Sequence, residues 1–208
     1  MLRDAAVAII ASRLGNRGSA FDATIVTEMQ AKQTDLEQEG QLRWFLLTQN
    51  TALSTTAATK TLAAPSGFLM EDDYAGFWVI GTDGVYNRIK KKDYDTMRGS
   101  EFHDENGLPE AYSLQGSTFY FWPTPDIAYS LQLNYYVADT VLSSNVTNQW
   151  LTYAPGLLIA ETGLEIAKSF RDDEAIKYFG SARNEALRRL WNQDEARRQA
   201  GLEAVMGG

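Results

Sequence analysis

The sequence predicts an α+β protein: a helical bundle assembled from both chain ends, with an antiparallel β-sheet region inserted between them. Three observations carry that prediction. Apolar residues recur at helical spacing near each terminus, with Ile25, Met29 and Leu36 early and Leu157, Leu158 and Leu164 late. Between them the period becomes two, with Tyr129, Leu131, Leu133 and Tyr135 on one face and Ser130, Gln132 and Asn134 on the other. Glycine turns at Gly81-Thr82-Asp83-Gly84 and Gln115-Gly116 punctuate this middle region, as short hairpins require. The expected organisation is an N-terminal helix pair over 1–42, a β-rich insert over 43–148, and C-terminal helices with a docking tail over 149–208.

The first helix is expected to bury Leu2, Ala5, Ala6, Ile9, Ile10 and Leu14 and to stop at Gly15-Asn16. A second helix is expected over 22–39, striped by Phe21, Ile25, Met29 and Leu36, with Ser19 as its cap, Asp22 as a capping-box partner and Gly40 as its end. Short strands follow at 44–47, 59–63, 77–80 and 85–89, and residues 90–95 read as a solvated strand end entering a loop. The stretch 108–136 reads as a patterned hairpin whose arms, 111–121 and 129–135, are separated by the Trp122-Pro123-Thr124-Pro125-Asp126 corner. Pro155 then opens a helix, since its missing N–H is harmless in the first turn; Glu161, Glu165 and Lys168 face outward. Asp172 or Asp173 caps a final helix striped by Ile176, Phe179, Leu187, Leu190 and Trp191. Beyond Trp191 the stripe fails. Residues 192–199 are polar on every side, and such a helix needs something docked on it.

Composition narrows the chemistry. The 208 residues are 44% apolar and 22% charged, which is globular rather than disordered. There is no cysteine, so disulfide frameworks, thiolate zinc sites and cysteine nucleophiles are excluded. The opening stretch carries Asp4 and Arg13 among its apolar residues and lacks a signal-peptide pattern, and no run is long enough for a membrane span. On that expectation the Asn145-Val146-Thr147 sequon stays unused. A net charge of -8 repels phosphate backbones, which argues against tight nucleic-acid binding and suits a surface that DNA slides past.

No catalytic constellation emerges. His103 is the single histidine, in a polar loop, so serine-histidine triads and histidine-clustered metal sites are excluded. The carboxylate groups Glu71-Asp72-Asp73 and Asp93-Tyr94-Asp95 lack calcium-loop spacing; a paired-carboxylate hydrolase site involving Glu71 or Asp73 stays open. Gly81-Thr82-Asp83-Gly84 is too short for a phosphate-binding loop. Arg88, Lys90, Lys91, Lys92 and Arg98 read as a solvated edge that blocks strand aggregation. Tyr112, Phe119, Tyr120, Phe121, Trp122, Tyr129, Tyr135 and Tyr136 could form a sugar-binding face, which makes a β-rich carbohydrate-binding or tail-associated adhesion module the alternative reading. No cofactor and no metal is expected.

Laid out in order, the chain resembles the head-to-tail adaptor (connector) proteins of tailed bacteriophages. The resemblance covers most of the chain: the N-terminal helix pair, Arg43-Trp44-Phe45, and the β insert. Its most specific part is the order Leu108-Pro109, Tyr112, Gly116, Trp122-Pro123-Thr124-Pro125-Asp126, Tyr129, Leu131, Leu133 and Tyr135-Tyr136. Asn148-Gln149-Trp150-Leu151, Pro155, Leu157-Leu158 and Asp172-Asp173-Glu174 complete it. The resemblance implies a structural virion protein at the head–tail junction, with no reaction to catalyse. It implies a dodecameric ring beneath the portal protein that extends the DNA channel and presents a surface to a downstream tail or nozzle protein. DNA passes through without sequence-specific binding, and no membrane is involved. In that setting Arg183, Arg188, Arg189, Trp191, Arg197, Arg198, Leu202 and Met206 become the residues expected to dock on the portal or on a neighbouring subunit.

Overall fold

The computed structural model describes residues 1–39, 44–72, 76–98 and 105–206, with 198–206 described by the backbone alone. It is α+β, and the chain divides into two compact units, residues 1–46 with 139–208 and residues 47–138.

In the first unit, α1 (Arg3–Arg13) and α2 (Ser19–Gln38) both pack against α5 (Pro155–Phe170), which also contacts α4 (Gln149–Tyr153) and α6 (Asp173–Met206). The central position of α5 follows from its composition: Leu157, Leu158, Ala160, Thr162, Gly163, Ile166 and Ala167 are all buried. Pro155 begins it, and Arg171 ends it in the left-handed region with φ 55. Gly163 faces Phe179 of α6, and a Cβ there would lie 2.4–2.6 Å from three of its ring carbons.

Several local expectations shift. Helix α1 buries Ala6, Val7, Ile10, Ala11 and Leu14, while Leu2 and Ile9 are exposed. The buried stripe is rotated because α1 must satisfy both α2 and α5. Ser19 is the first helical residue of α2 rather than its cap; Gly18 holds that place and makes no side-chain cap bond. Gly40 lies outside the described residues. The apolar run at 44–47 is not a strand. Phe45 and Leu46 are consecutive and both buried, and the backbone forms a 3-10 turn at Trp44–Leu46. Phe45 packs edge-on against Trp150 at 5.1 Å and Trp44 against Tyr153 at 4.8 Å, tying this turn to α4.

The second unit holds two sheets. One has the order β1 (Leu47–Ser54), β9 (Ser130–Val137), β4 (Phe77–Ile80), β5 (Tyr86–Arg88), with β3 (Phe68–Glu71) also paired to β9. The other has the order β2 (Thr61–Ala63), β8 (Thr118–Trp122), β7 (Ala111–Gln115), β6 (Lys90–Lys91). Phe77, Val79, Tyr112, Phe119, Phe121, Leu131 and Leu133 form their common core. The alternation along β9 is as the sequence predicts, with Tyr129, Leu131, Leu133 and Tyr135 buried. The hairpin turn expected at Gln115-Gly116 joins β7 to β8, whereas β9, expected beside them, belongs to the other sheet, between β1 and β4.

The corner between β8 and β9 is fixed by Thr55. Its Oγ1 accepts from the Tyr129 N–H at 2.8 Å and donates to the Ile127 carbonyl at 3.2 Å. Lys90 and Lys91 are the exposed strand end expected over 90–95, but a short helix rather than a loop follows. Lys90 and Lys91 pair in parallel with Ala111 and Tyr112, and Asp93 then accepts from the Asp95 and Thr96 N–H groups to start α3 (Tyr94–Arg98).

Candidate docking surface

The sequence-predicted docking residues all lie on α6, a single continuous helix of 34 residues. Asp172 starts it: its carbonyl takes the Ile176 N–H at 2.9 Å and its carboxylate the Ala175 N–H at 3.0 Å. Asp173 and Glu174 follow in the first turn, where acidic groups suit the positive end of the dipole. Ala175, Phe179 and Leu190 are its buried apolar residues, and the half-buried Arg183 and Ala186 fall on the same face.

The predicted residues divide by what already holds them. Arg183 donates from Nε to Glu161 on α5 at 2.5 Å, so its charge is used inside the unit. Arg189 pairs with Glu185 one turn back on the same helix. Arg197 sits with its guanidinium 3.4 Å from the centroid of the Trp44 ring, which anchors the polar half of α6 to the 3-10 turn. Arg188 is exposed and makes no ion pair among the described residues. Trp191, expected in the inward stripe, is 62% exposed. The correction is geometric. One residue beyond Leu190 the helix has turned by about 100° and leaves the packed face. The side chains of Arg198, Leu202 and Met206 lie outside the described residues; their backbone continues the helix.

Sequence reasoning missed a second polar constellation, at the carboxyl end of α2. Glu37 is 8% exposed and its carboxylate accepts from Trp150 Nε1 at 2.8 Å, Gln33 Nε2 at 3.1 Å and the Asp139 N–H at 3.3 Å. Asn148 donates to Gln33 Oε1 at 3.0 Å and to the Thr140 carbonyl at 2.9 Å, and it accepts the Leu151 N–H to cap α4. Asp139 takes the Trp150 N–H at 3.1 Å. Burial pushes the Glu37 carboxyl above the ordinary carboxylate range, partly offset by the Trp150 and Gln33 donors. The signal was present in the sequence: Gln33 and Glu37 continue the inward spacing of Ile25 and Met29. The arrangement satisfies every partner it buries and acts as a clamp.

The places considered for chemistry are otherwise engaged. Glu71 is buried and ion-paired with Lys91 at the edge of a cleft of about 350 Å³. Asp73 and His103 lie outside the described residues. Among the described residues no group of three His, Asp or Glu is placed to hold a metal ion. Tyr112, Phe119, Phe121, Tyr129 and Tyr135 are buried in the second unit's core, which removes most of the aromatic face proposed for sugar binding. No described helix is long and apolar enough to cross a membrane.

No curated protein matches the chain. The family model described as SU10 adaptor protein matches residues 6–205, a span that takes in both compact units and nearly all of α6. With the order of motifs from Leu108 to Glu174, that match places the chain in the SU10 adaptor protein family, the phage head-to-tail adaptors.

Proposed function

We propose that this chain is one subunit of a dodecameric adaptor ring at the head–tail junction of a virion. The ring docks beneath the portal protein, extends the channel through which DNA leaves the head, and offers its far side to a downstream tail or nozzle protein. The helical unit serves as the bundle that positions the ring. The observation that carries this reading is the family match over 6–205, joined to a long C-terminal helix whose outer residues are left over from its own packing. Arg188 and Trp191 are exposed residues of that helix that make no ion pair or ring contact among the described residues, and 192–206 is its extension toward the portal or an adjacent subunit. A net charge of -8 favours passage of DNA over adhesion.

The test is light scattering of the purified protein alone and mixed with its portal. Assembly into a ring of twelve copies on the portal is the expected result. Deleting 192–208 should abolish capture while circular dichroism stays that of a folded protein, because Leu190 is the last buried residue of α6 among those described. A truncated chain that still binds the portal normally would remove the docking role from α6.

A further inference from the structure

The first sheet of the second unit ends in two open edges. Among the described strands β1 pairs only with β9, and β5 only with β4. Every residue of β1 is exposed or half-buried, every residue of β5 is exposed, and β1 carries neither a charge nor a proline. The ladders say which way the backbone groups point. Asn134 of β9 gives its N–H to the Gly76 carbonyl and its carbonyl to the Asp72 N–H, both beside β4 and β3 rather than β1. The Gln49–Asn134 pair is therefore not hydrogen-bonded, and the N–H and carbonyl of Gln49 point to the open edge. On β5 the Val85 carbonyl accepts from Gly81, so the next residue, Tyr86, turns its N–H and carbonyl away from β4. Neither Gln49 nor Tyr86 makes a backbone hydrogen bond outside the sheet among the described residues. Backbone groups in a row along an edge are complemented by one kind of occupant, another extended main chain.

We propose that β5 of one copy of the chain pairs with β1 of a second copy, so that the sheet runs on from subunit to subunit. This pairing rests on the ring reading above and assigns it a subunit contact. The directions agree. β9 is antiparallel to β1, β4 to β9 and β5 to β4, so a second copy in the same orientation presents β1 antiparallel to β5. The faces agree as well. Gln49 lies opposite Asn134, and Tyr86 opposite Ile80, itself opposite Ser130; Asn134 and Ser130 are on the face of β9 turned from the core. Leu47, 42% exposed, and Tyr86, 55% exposed, stand on that same face, and setting Tyr86 opposite Gln49 brings its ring diagonally against Leu47. The lengths match. Asn50 Oδ1 takes the Ala52 N–H at 2.9 Å within a bulge, which leaves 47–50 as the regular run for a three-residue partner. The charges nearest the joint do not oppose it: Asp83 is turned back on the Val85 N–H at 3.0 Å, and Arg88 is already engaged in its own chain. Because the two edges differ, the contact is head-to-tail, and repetition with a rotation closes a ring.

The chain has no cysteine, so an introduced disulfide reports the pairing directly. Gln49→Cys in one chain and Tyr86→Cys in a second, differently tagged chain are mixed and mildly oxidised, alone and with portal added. Bonded partners in an antiparallel pair lie about 5.5 Å apart at Cα, within disulfide reach. A mixed disulfide-linked dimer is expected. It should be lost when Thr48→Cys replaces Gln49→Cys, because one residue of slip turns the thiol to the other face. Both positions of the productive pair are exposed, and circular dichroism of each variant checks the fold. Absence of the mixed dimer under both conditions, or equal yields from positions 48 and 49, overturns the pairing. Amide exchange of the native chain needs no substitution: the Gln49 and Tyr86 amides should exchange fast in the isolated chain and both slow on assembly. Slowing at Gln49 with none at Tyr86 also overturns the pairing, because a strand of another polypeptide then occupies β1. Capture by the portal without the mixed dimer removes the pairing and leaves the adaptor reading standing. A mixed dimer in a protein that the portal never captures supports the pairing and removes the adaptor reading.

Discussion

Over residues 173–190, α6 turns Ala175, Phe179 and Leu190 inward against α5, with Arg183 on the same face paired to Glu161. Over 191–206 the same helix continues without a break, yet the large apolar residue at its start, Trp191, faces out. One half is therefore specified by what it buries. The other is specified by continuity with the first half, by the Arg197–Trp44 contact, and by whatever covers its outer face. A helix that keeps its hydrogen-bonded geometry while its apolar stripe changes sides is built to serve two surfaces, one inside the subunit and one beyond it.

The widest separation between the halves should come from Phe179→Ala. Phe179 is 1% exposed, so the lost transfer energy and the cavity left behind together cost about 3–5 kcal/mol. The urea midpoint of the helical unit should fall accordingly. A loss below about 1 kcal/mol would mean that the proximal half is not the anchor described here. Gly163→Ala probes the same contact from α5. Helix propensity favours alanine by about 1 kcal/mol, but the new methyl overlaps a fully buried ring with no room to move, a cost of about 1–3 kcal/mol. Net destabilisation is expected, and Gly163→Ala with Phe179→Leu should recover part of it.

Arg197→Ala addresses the distal half. An exposed guanidinium over an indole contributes about 0.5–1 kcal/mol, so global stability should barely change. Amide exchange should rise over 191–206 and stay unchanged over 173–190. Faster exchange along the whole of α6 would show that its two halves unfold as one unit and would dissolve the comparison.

This contrast also explains what could be read from the sequence. The proximal stripe and the alternation along β9 were legible because burial on one face forces a period, and Ile176, Phe179, Leu131 and Leu133 obey it. The family was legible from a run of small signals between Leu108 and Glu174. Pairing was not. The period along β9 says which side is buried and nothing about which strand lies beside it, so β9 looked like the partner of β8 until Thr55 fixed the corner. Trp191 was misplaced because one residue of helical rotation separates a buried Leu190 from an exposed neighbour. Gln33 and Glu37 were passed over because polar residues on an apolar face have no meaning until their partners, Asn148 and Trp150, arrive from far along the chain.

That clamp gives a pH-dependent prediction confined to the helical unit. Burial raises the Glu37 carboxyl above its unfolded value, so the folded state holds the proton more tightly than the unfolded state. Ionised Glu37 therefore costs stability above its folded pKa, and the cost is relieved as pH falls through that value. Glu37→Gln keeps an acceptor for Trp150 and removes the titration. Between about pH 7 and pH 5, the urea midpoint of the native chain should rise relative to that of Glu37→Gln. Parallel curves would mean that the three donors on the carboxylate, rather than its burial, set its proton affinity.

The smallest effect on folding, and the most telling, is expected from Trp191→Ala. Removing a large aromatic side chain from a core costs several kcal/mol, but Trp191 is 62% exposed and its removal should shift stability by less than about 0.5 kcal/mol. Helix propensity even favours the substitution slightly. The loss should appear only in assembly, as weaker capture on the portal and fewer chains per ring, measured by light scattering at equal concentration. Phe179→Ala then forms the opposite case, damaging the subunit first and the ring only as a consequence. If Trp191→Ala instead lowered the urea midpoint as Phe179→Ala does, its ring would have to be packed within the subunit, and the outer face of α6 would lose its claim to be a surface for anything else.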